Sequence, residues 1–429
     1  MILFLFVVSI LLLLLFLRMP VAFAIGVSAI VGLVIHSGFD ITYGILRDAV
    51  YVNSAKFILV AIPLFILMAE ILNSAGVMRR AVLACQAWLG HIVGGLALAV
   101  IGASAILAAL VGSSTASAAA MGASIFPEMS KSGYKDELAT AVIAVGGTLA
   151  ILIPPSIVLI IYGVLTGTSI GRLFMAGVMP GVLTTVGLSI TSVFLAKRHN
   201  VRRVDTPFSI SYAWKESAKI VPLLMLIVIV LASIYFGIAS PTEAAAFGVI
   251  GALVIGATQK TLTRLGIVSS FRRTIISSTM IILIIILSSF FGTFLSLLRI
   301  TQSLLTSVNA SGLSAGSILA IIVVILLILG MFMDQIAILA LTMPIAFPLI
   351  TSLGYDPIWF GIIVTKTVEI GLLSPPLGLN VYVVSGVTKV PAVNIFRGIL
   401  PFIASEVIVL LLLIMIPDIS LWLPNRMFD

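Results

Sequence analysis

The chain has 429 residues, of which 61% are hydrophobic and 9% charged, and its mean hydropathy is +1.31. Soluble domains are about a quarter charged, so this composition excludes a soluble protein and predicts an all-α polytopic membrane protein in a lipid bilayer. The net charge of +8 fits basic loops that orient membrane helices, and no nucleic-acid partner is expected. Cys85 is the only cysteine, which excludes an internal disulfide.

The first half begins with three apolar segments that predict membrane spans, near residues 2–17, 20–36 and 57–73. The next apolar stretch, at about 92–127, lies between basic segments that both belong on the cytoplasmic side. It must therefore enter and leave on one side, which predicts a re-entrant hairpin with its tip at Gly112–Ser117. The half closes with a broken helix at about 138–168 and a final span at about 173–196.

A polar segment at 197–219 separates the two halves and carries six basic residues. The positive-inside rule puts this segment in the cytoplasm. We therefore divide the chain into a first repeat (1–204), a cytoplasmic linker (205–220) and a second repeat (221–429).

The second half repeats motifs of the first half at a constant spacing of 221 residues. Gly133-Tyr134 recurs as Gly354-Tyr355, and Pro154-Pro155 recurs as Pro375-Pro376, since 354 − 133 and 375 − 154 are both 221. The same offset places the second hairpin at about 313–348 and the second broken helix at about 359–389.

Equivalent loops of the two halves differ in charge. The loop at 260–273 is basic, whereas its counterpart at 39–52 carries one arginine and two aspartates. Opposite charge bias predicts opposite orientation in the membrane. We therefore expect two inverted-topology repeats, each of five spans plus one re-entrant hairpin, with both chain ends on the periplasmic or outer side.

Paired prolines break a helix, and matching breaks in two halves indicate a transporter with its site near the bilayer midplane. Open backbone at that depth must line a protein cavity. The sequence predicts four such places: the two tips, Gly112–Ser117 and Gly330–Asp334, and the two breaks, which extend from Gly146-Gly147-Thr148 to Pro154-Pro155-Ser156 and from Glu369-Ile370-Gly371 to Pro375-Pro376. Their carbonyls and hydroxyls suit Na⁺ and their helix N-termini suit an anion. We pair each tip with the break of the same half to form one cation site. This pairing predicts at least two Na⁺ sites, with the substrate between them.

The candidate residues follow from these four segments and from rare polar side chains in apolar runs. The predicted Na⁺ ligands are Ser113, Ser117, Gly147, Thr148, Pro154, Gly330, Asp334, Glu369, Gly371 and Pro375. The predicted substrate contacts are Ser113, Ser114, Thr115, Ser156, Arg299 and Asn380. Three alternatives stay open: small residues also serve close helix packing, Arg299 can instead reach the membrane interface, and Lys366 with Glu369 can be a structural ion pair.

The motifs in order resemble those of a known family, the large membrane subunit of tripartite ATP-independent periplasmic (TRAP) transporters. They are Pro127-Glu128-Met129, Gly133-Tyr134, Gly146-Gly147-Thr148-Leu149, Leu152-Ile153-Pro154-Pro155-Ser156 and Pro375-Pro376-Leu377-Gly378-Leu379-Asn380. The resemblance covers essentially the whole chain.

The resemblance implies a broad ion-transporter-superfamily fold with an elevator motion, in the bacterial inner membrane. It implies Na⁺-coupled uptake of an organic acid, such as sialic acid or a C4-dicarboxylate. It also implies two partners: a soluble periplasmic binding protein and a small four-helix membrane subunit, here expected as a separate polypeptide.

Two other functions are compatible with the sequence. A stand-alone ion-coupled anion carrier of the same fold would need neither partner. An intramembrane hydrolase would need a base beside a nucleophile such as Ser114, but the three histidines lie near span ends or in the linker. We therefore expect no enzyme activity.

Overall fold

The computed structural model describes residues 2–201 and 208–427, and its regular structure there is entirely helical. The first half contains ten α-helices and a short 3₁₀ turn at Phe57–Val60. The helices are α1 (Ile2–Phe16), α2 (Val21–Ser37), α3 (Phe39–Ser54), α4 (Ala61–Ser74), α5 (Val77–Leu89), α6 (Gly95–Val111), α7 (Ser114–Lys131), α8 (Asp136–Leu152), α9 (Ile157–Thr166) and α10 (Ile170–Arg198).

The linker helix and the second half follow in similar order. They are α11 (Ile210–Ala218), α12 (Val221–Tyr235), α13 (Pro241–Thr258), α14 (Arg264–Leu297), α15 (Ile300–Ser311), α16 (Ala315–Gly330), α17 (Gln335–Ser352), α18 (Pro357–Gly371), α19 (Leu379–Thr388), α20 (Ala392–Met415) and α21 (Asp418–Asn425). In the described part of the chain, seven helical segments are long and apolar enough to cross a membrane, or up to eight if the bent pair α11–α12 forms one span.

Helix bounds in the two halves correspond at the spacing seen in the sequence. α17 begins and ends 221 residues after α7, since 335 − 114 and 352 − 131 are both 221. Packing between the halves is also reciprocal: α2 contacts α14 as α4 contacts α13, and α7 contacts α19 as α9 contacts α17. The halves are therefore related by an internal two-fold arrangement. Their opposite orientation in the membrane stays a prediction.

One element departs from this correspondence. The 34-residue helix α14 is continuous where the first half has α3, the 3₁₀ turn and α4. Pro63 lies in the first turn of α4, and its counterpart in α14 is Ile284. A proline inside a continuous helix would remove a backbone donor and crowd the preceding turn, so the first half starts a new helix there.

The hairpin tips and breaks occur where the sequence predicts them, but the open backbone is shorter. The first tip consists of Gly112 and Ser113, and the first break of 153–156. The second tip is 331–334 and the second break is 372–378, and both Pro-Pro bonds are cis. The prediction that Gly146–Thr148 and Glu369–Gly371 belong to the breaks is wrong, because these residues lie inside α8 and α18.

The glycines in α8 have a packing reason instead. A Cβ added to Gly147 would lie 2.8 Å from Cβ of Ala118 and 2.9 Å from the Ser114 carbonyl oxygen. Gly147 therefore lets α7 approach the backbone of α8, which is the ordinary use of small residues between membrane helices.

Three segments predicted as loops are wholly or partly helical. The segment 39–52 lies in α3, residues 264–273 of the predicted loop 260–273 form the start of α14, and the linker contains α11, which packs against α5. The predicted boundary between residues 204 and 205 lies outside the described residues.

α8 and α18 form the centre of the fold: every residue is buried from Leu138 to Leu152 and from Ile358 to Gly371. Both broken helices therefore have a rigid first half that leads to the open backbone.

Candidate functional site

A cavity of about 260 Å³ lies between the two hairpin tips, both of which line it. Both tips, the residues flanking both breaks, and the helices α4 and α14 contribute to its wall. The lining residues are Ile66, Ala69, Glu70, Asn73, Met78, Gly112, Ser113, Thr115, Ala116, Ile157, Ser277, Met280, Ile281, Asp334, Gln335, Ile336, Leu372 and Leu379. Of the predicted site residues, the structure brings Ser113, Thr115 and Asp334 to this cavity.

The two tips present their polar side chains in equivalent ways. Ser113 is the N-cap of α7, and its Oγ accepts a hydrogen bond from the Ala116 N–H at 3.4 Å. Asp334 is the N-cap of α17, and its Oδ1 accepts from the N–H groups of Ile336 (2.9 Å) and Ala337 (3.2 Å). Asp334 lies 221 residues after Ser113. Each helix N-terminus therefore points its positive end towards the shared cavity.

The charged side chains that line the cavity are both acidic. They are Glu70 on α4 and Asp334 on the second tip, and the described lining includes no lysine or arginine. Arg273 donates from Nε to Glu70 Oε2 at 2.5 Å and so compensates one of the two charges. The helix N-terminus that Asp334 caps carries only about half an elementary positive charge, so part of the negative charge of this carboxylate remains. A small anion that enters this cavity would therefore contact no positively charged side chain among the described lining residues.

Ser114 and Asn380 connect the first tip with the end of the second break. Ser114 Oγ donates to Asn380 Oδ1 at 2.7 Å, and Asn380 Nδ2 donates to the Ala144 carbonyl at 3.3 Å. Ser114 is 1% exposed and Asn380 is fully buried, and neither lines the cavity. They therefore support the site across the two halves. The sequence paired each tip with the break of its own half, so this cross-half contact was not predicted.

The helices α6 and α7 on either side of the first tip each have a buried hydroxyl without a hydrogen-bond partner in the described part of the chain. The hydroxyls of Ser117 on α7 and Ser104 on α6 are buried and accept or donate no hydrogen bond among the described residues. Thr148 instead donates to the Val145 carbonyl at 2.8 Å. Hydroxyl and carbonyl oxygens are ligands for a hard cation. Ser117 was predicted as a ligand, and Ser104 was missed because it sits in an unbroken apolar helix.

Four predicted residues have local structural contacts instead. Ser156 caps α9 through the Leu159 N–H at 3.4 Å and donates to the Ile151 carbonyl. Gly330 and Gly371 meet backbone to backbone, because a Cβ on Gly330 would lie 2.8 Å from Cα of Gly371. Pro154 is buried, and neither it nor Ser156 lines the cavity.

Three further residues lie away from the cavity. Arg299 is exposed at the junction of α14 and α15 with a left-handed backbone (φ 52°), so the structure does not bring it to the predicted substrate site. Pro375 is exposed and does not line the cavity. Glu369 is fully buried, and its Oε2 accepts from Lys366 Nζ at 3.1 Å, which favours the ion-pair alternative over a Na⁺ ligand.

Glu70 lines the cavity but is not among the site residues predicted from the sequence. It is an acidic residue inside an apolar span, which is a signal of a functional position. The sequence could not locate its partner, because Arg273 is 203 residues away.

Membrane-length helices, two broken helices, two hairpins and a cavity with two acidic side chains between the hairpin tips define a polytopic membrane transporter. The chain belongs to the tripartite ATP-independent periplasmic transporter family: the model of its DctM component matches residues 8–419. The membership predicted from the motifs is confirmed. Because this family consists of transporters, the chain is not an enzyme, and the intramembrane hydrolase alternative is wrong.

Curated relatives match over nearly the whole chain. The chain is 34% identical to the C4-dicarboxylate TRAP transporter large permease protein DctM of Vibrio cholerae, over 95% of this chain and 94% of that protein. It is 32% identical to the sialic acid TRAP transporter large permease protein SiaM of the same species, over 96% of each chain. The fold also resembles the crystal structure of the Alcanivorax borkumensis YdaH transporter, with a TM-score of 0.63 at 14% identity, over 92% of this chain and 89% of that one.

Proposed function

We propose that this chain is the large permease of a Na⁺-coupled importer of an organic acid in the bacterial inner membrane. The observation that carries the proposal is the charge of the cavity between the two tips. Its described lining contains two carboxylates and no basic side chain. An organic anion needs a positive charge to bind beside Asp334, and a cation bound at the tip supplies it.

Two Na⁺ sites related by the repeat fit this cavity best. The first would use Ser113, the orphan hydroxyl of Ser117 and carbonyls of the first tip. The second would use Asp334 and carbonyls of the second tip. Asp334 Oδ1 makes both cap bonds, which leaves Oδ2 outside the cap. Each ion would bind where a helix ends, as in other transporters with interrupted helices.

The substrate would be a small carboxylate. The relatives named above are a C4-dicarboxylate permease and a sialic acid permease. A volume of about 260 Å³ accommodates a small acid. The anion would bind between the N-termini of α7 and α17, whose backbone N–H groups and dipoles favour negative charge. Arg299 has no part in this arrangement.

The transport step would be an elevator motion of the hairpins and broken helices against a scaffold. In support, one wall of the cavity is formed by α4 and α14, which pack against α13 and α2 of the opposite halves. A second hydrophobic cluster joins α1, α2 and α14, and it also includes Ile300 of α15 and Ala340 of α17. Sliding of the tips past α4 and α14 would expose the cavity alternately to each side.

The partners would be a periplasmic binding protein that delivers the acid and a small four-helix membrane subunit beside the scaffold. The family description names a tripartite periplasmic transporter, and the relatives are called large permease proteins. Vesicles containing the chain with both partners should take up the acid that the binding protein retains. Equal uptake by the chain alone would contradict this assignment and favour the stand-alone carrier.

A substitution at Asp334 tests the cation site. Asparagine is as good an N-cap as aspartate, so Asp334→Asn should fold normally but lose the charge that binds Na⁺. We expect the Na⁺ concentration for half-maximal uptake to rise in this variant, with an unchanged thermal unfolding profile. Uptake is measured over a series of Na⁺ concentrations.

Asp356→Asn is the matched control. Asp356 caps α18 with the same geometry, accepting from Ile358 N–H at 2.7 Å and from Trp359 N–H at 2.9 Å, and it does not line the cavity. Its variant should keep the parental Na⁺ dependence. An Asp334→Asn protein with the parental Na⁺ dependence would contradict the assigned site.

A further inference from the structure

A cluster of charged side chains lies inside the protein, away from the cavity between the tips. Lys366 and Glu369 of α18 and Glu406 of α20 are at most 1% exposed. Lys366 Nζ donates to Glu369 Oε2 at 3.1 Å and also to Glu406 Oε2. Its third contact is Thr184 Oγ1 of α10, at 3.0 Å. None of these residues lines the cavity.

The hydrogen-bond donors of the cluster are used up. An ammonium group has three N–H donors, and Lys366 directs all three to the contacts above. Oε1 of Glu369 and Oε1 of Glu406 are buried and have no partner in the described part of the chain. Two carboxylates with four oxygens therefore share a single cation and leave two oxygens unsatisfied.

The formal charge of the cluster is −1, and no neighbour compensates it. The helices packed against α18 are α8, α9, α10, α16, α17, α20 and α21. Among the described residues, Lys366 is the one basic side chain that forms an ion pair with Glu369 or Glu406, and Thr184, the other contact of Lys366, is neutral. An uncompensated charge in a water-free interior costs several kcal/mol. The cluster needs one more positive charge.

We propose that Glu369 and Glu406 together bind one proton, which makes this cluster an internal proton site. The proton adds to a carboxylate oxygen, so the three side chains carry one ammonium, one carboxylate and one carboxylic acid, with a total charge of zero. The new O–H also adds one hydrogen-bond donor to a cluster in which two carboxylate oxygens have no partner among the described residues. A metal ion is disfavoured, because Na⁺ needs several oxygen ligands and the room to hold them, whereas a proton needs neither.

The site lies at the base of a functional element. Glu369 is two residues before Gly371, where α18 meets α16 of the second hairpin and leads into the second break. The proton would therefore keep the rigid part of the broken helix neutral. This inference does not depend on the proposed Na⁺ sites, since the cluster shares no residue with the cavity.

Infrared spectroscopy of the full chain in lipid nanodiscs tests the proposal. The wild-type protein at neutral pH should show the C=O stretch of a protonated carboxylic acid, and labelling with ¹³C-glutamate should shift that band. Glu369→Gln and Glu406→Gln should each lose the band, because either variant leaves one carboxylate paired with Lys366. Asp334→Asn and Glu70→Gln are controls that should keep it.

Three results would overturn the proposal. They are a wild-type spectrum without the band, a band that ¹³C-glutamate does not shift, and a band that persists in both glutamine variants. A band that appears only after Na⁺ is removed would mean that the cluster holds Na⁺ instead. The wild-type measurements decide the question even if a variant fails to fold.

Discussion

At the scale of single residues, the hydrogen bond between Ser114 and Asn380 supports the site although neither side chain lines the cavity. Both side chains are buried, and their hydrogen bond of 2.7 Å joins the first hairpin to the second broken helix. The contact therefore fixes the two halves of the site relative to each other. A buried acceptor that loses its donor costs about 1–3 kcal/mol.

A double-mutant cycle measures this contact. We expect Ser114→Ala to lower the free energy of unfolding by about 1–3 kcal/mol, because Asn380 Oδ1 loses its donor. Asn380→Ala should also destabilise the protein, and the double variant should lose less than the sum of the two. Ser9→Ala, which removes an exposed hydroxyl bonded to the Leu5 carbonyl, is the control. Strict additivity would contradict the contact.

Individual residues also show what sequence could predict. Asp334 was predicted because a carboxylate in an apolar segment after a glycine is rare, and a charged side chain at membrane depth usually has a functional role. Arg299 was predicted as a substrate contact but does not line the cavity. The end of an apolar run does not reveal which way the chain turns next. The pairing of Lys366 with Glu406 could not be predicted from the sequence, because the two residues are 40 positions apart and lie on different helices.

At the scale of elements, the second hairpin packs on α18 through two glycines. A Cβ on Gly330 would lie 2.8 Å from Cα of Gly371, and a Cβ on Gly371 would lie 2.6 Å from Cα of Gly330. These distances are shorter than any ordinary contact, and the neighbouring atoms belong to the backbone. α16 would have to move away from α18 to admit a methyl group.

Gly330→Ala tests this close approach. We expect a loss of about 1–3 kcal/mol in stability from overpacking, together with reduced uptake, because the second tip is displaced. Thermal unfolding and vesicle uptake measure both effects. Gly386→Ala is the control within α19: a Cβ added there would meet no atom within 4 Å, so stability should stay equal or rise. Equal behaviour of the two variants would contradict the assigned packing.

Elements were predictable where proline or glycine acts locally. The tips and breaks were located within a few residues, because paired prolines and a glycine at the end of an apolar segment disfavour continuation of the helix. The extent of the breaks was not predictable from the sequence. Glycines such as those in Gly146–Thr148 can either interrupt a helix or let a neighbouring helix pack closely, and the position of that neighbouring helix decides which. The continuous helix α14 was likewise not predicted. The repeat suggests that both halves are interrupted at the same place, but only the first half has a proline there, Pro63.

At the scale of the whole molecule, the duplicated order of helices and the reciprocal contacts indicate an internal two-fold relation, and the orientation of the two repeats in the membrane stays a prediction. Tyr43 in α3 and Arg264 in α14 are equivalent and both exposed, since 264 − 43 is 221. Inverted repeats require these positions to lie on opposite sides of the membrane. Parallel repeats require the same side.

Cysteine labelling decides between the two arrangements. We expect Tyr43→Cys to react with a membrane-impermeant thiol reagent from the periplasmic side only, and Arg264→Cys from the cytoplasmic side only. Burial raises the pKa of the native Cys85 thiol to about 11, so this thiol stays protonated near neutral pH and the parent protein should label slowly. Labelling of both variants from one side would contradict the inversion.

The most direct test of the whole account is uptake driven by a Na⁺ gradient. Vesicles that contain the chain, its small membrane subunit and the loaded binding protein should accumulate the organic acid when Na⁺ is higher outside. Uptake should fall to the level of empty vesicles when Na⁺ is equal on both sides or replaced by K⁺. Undiminished uptake without the Na⁺ gradient would contradict the claim that a cation at the hairpin tips accompanies the acid through the cavity.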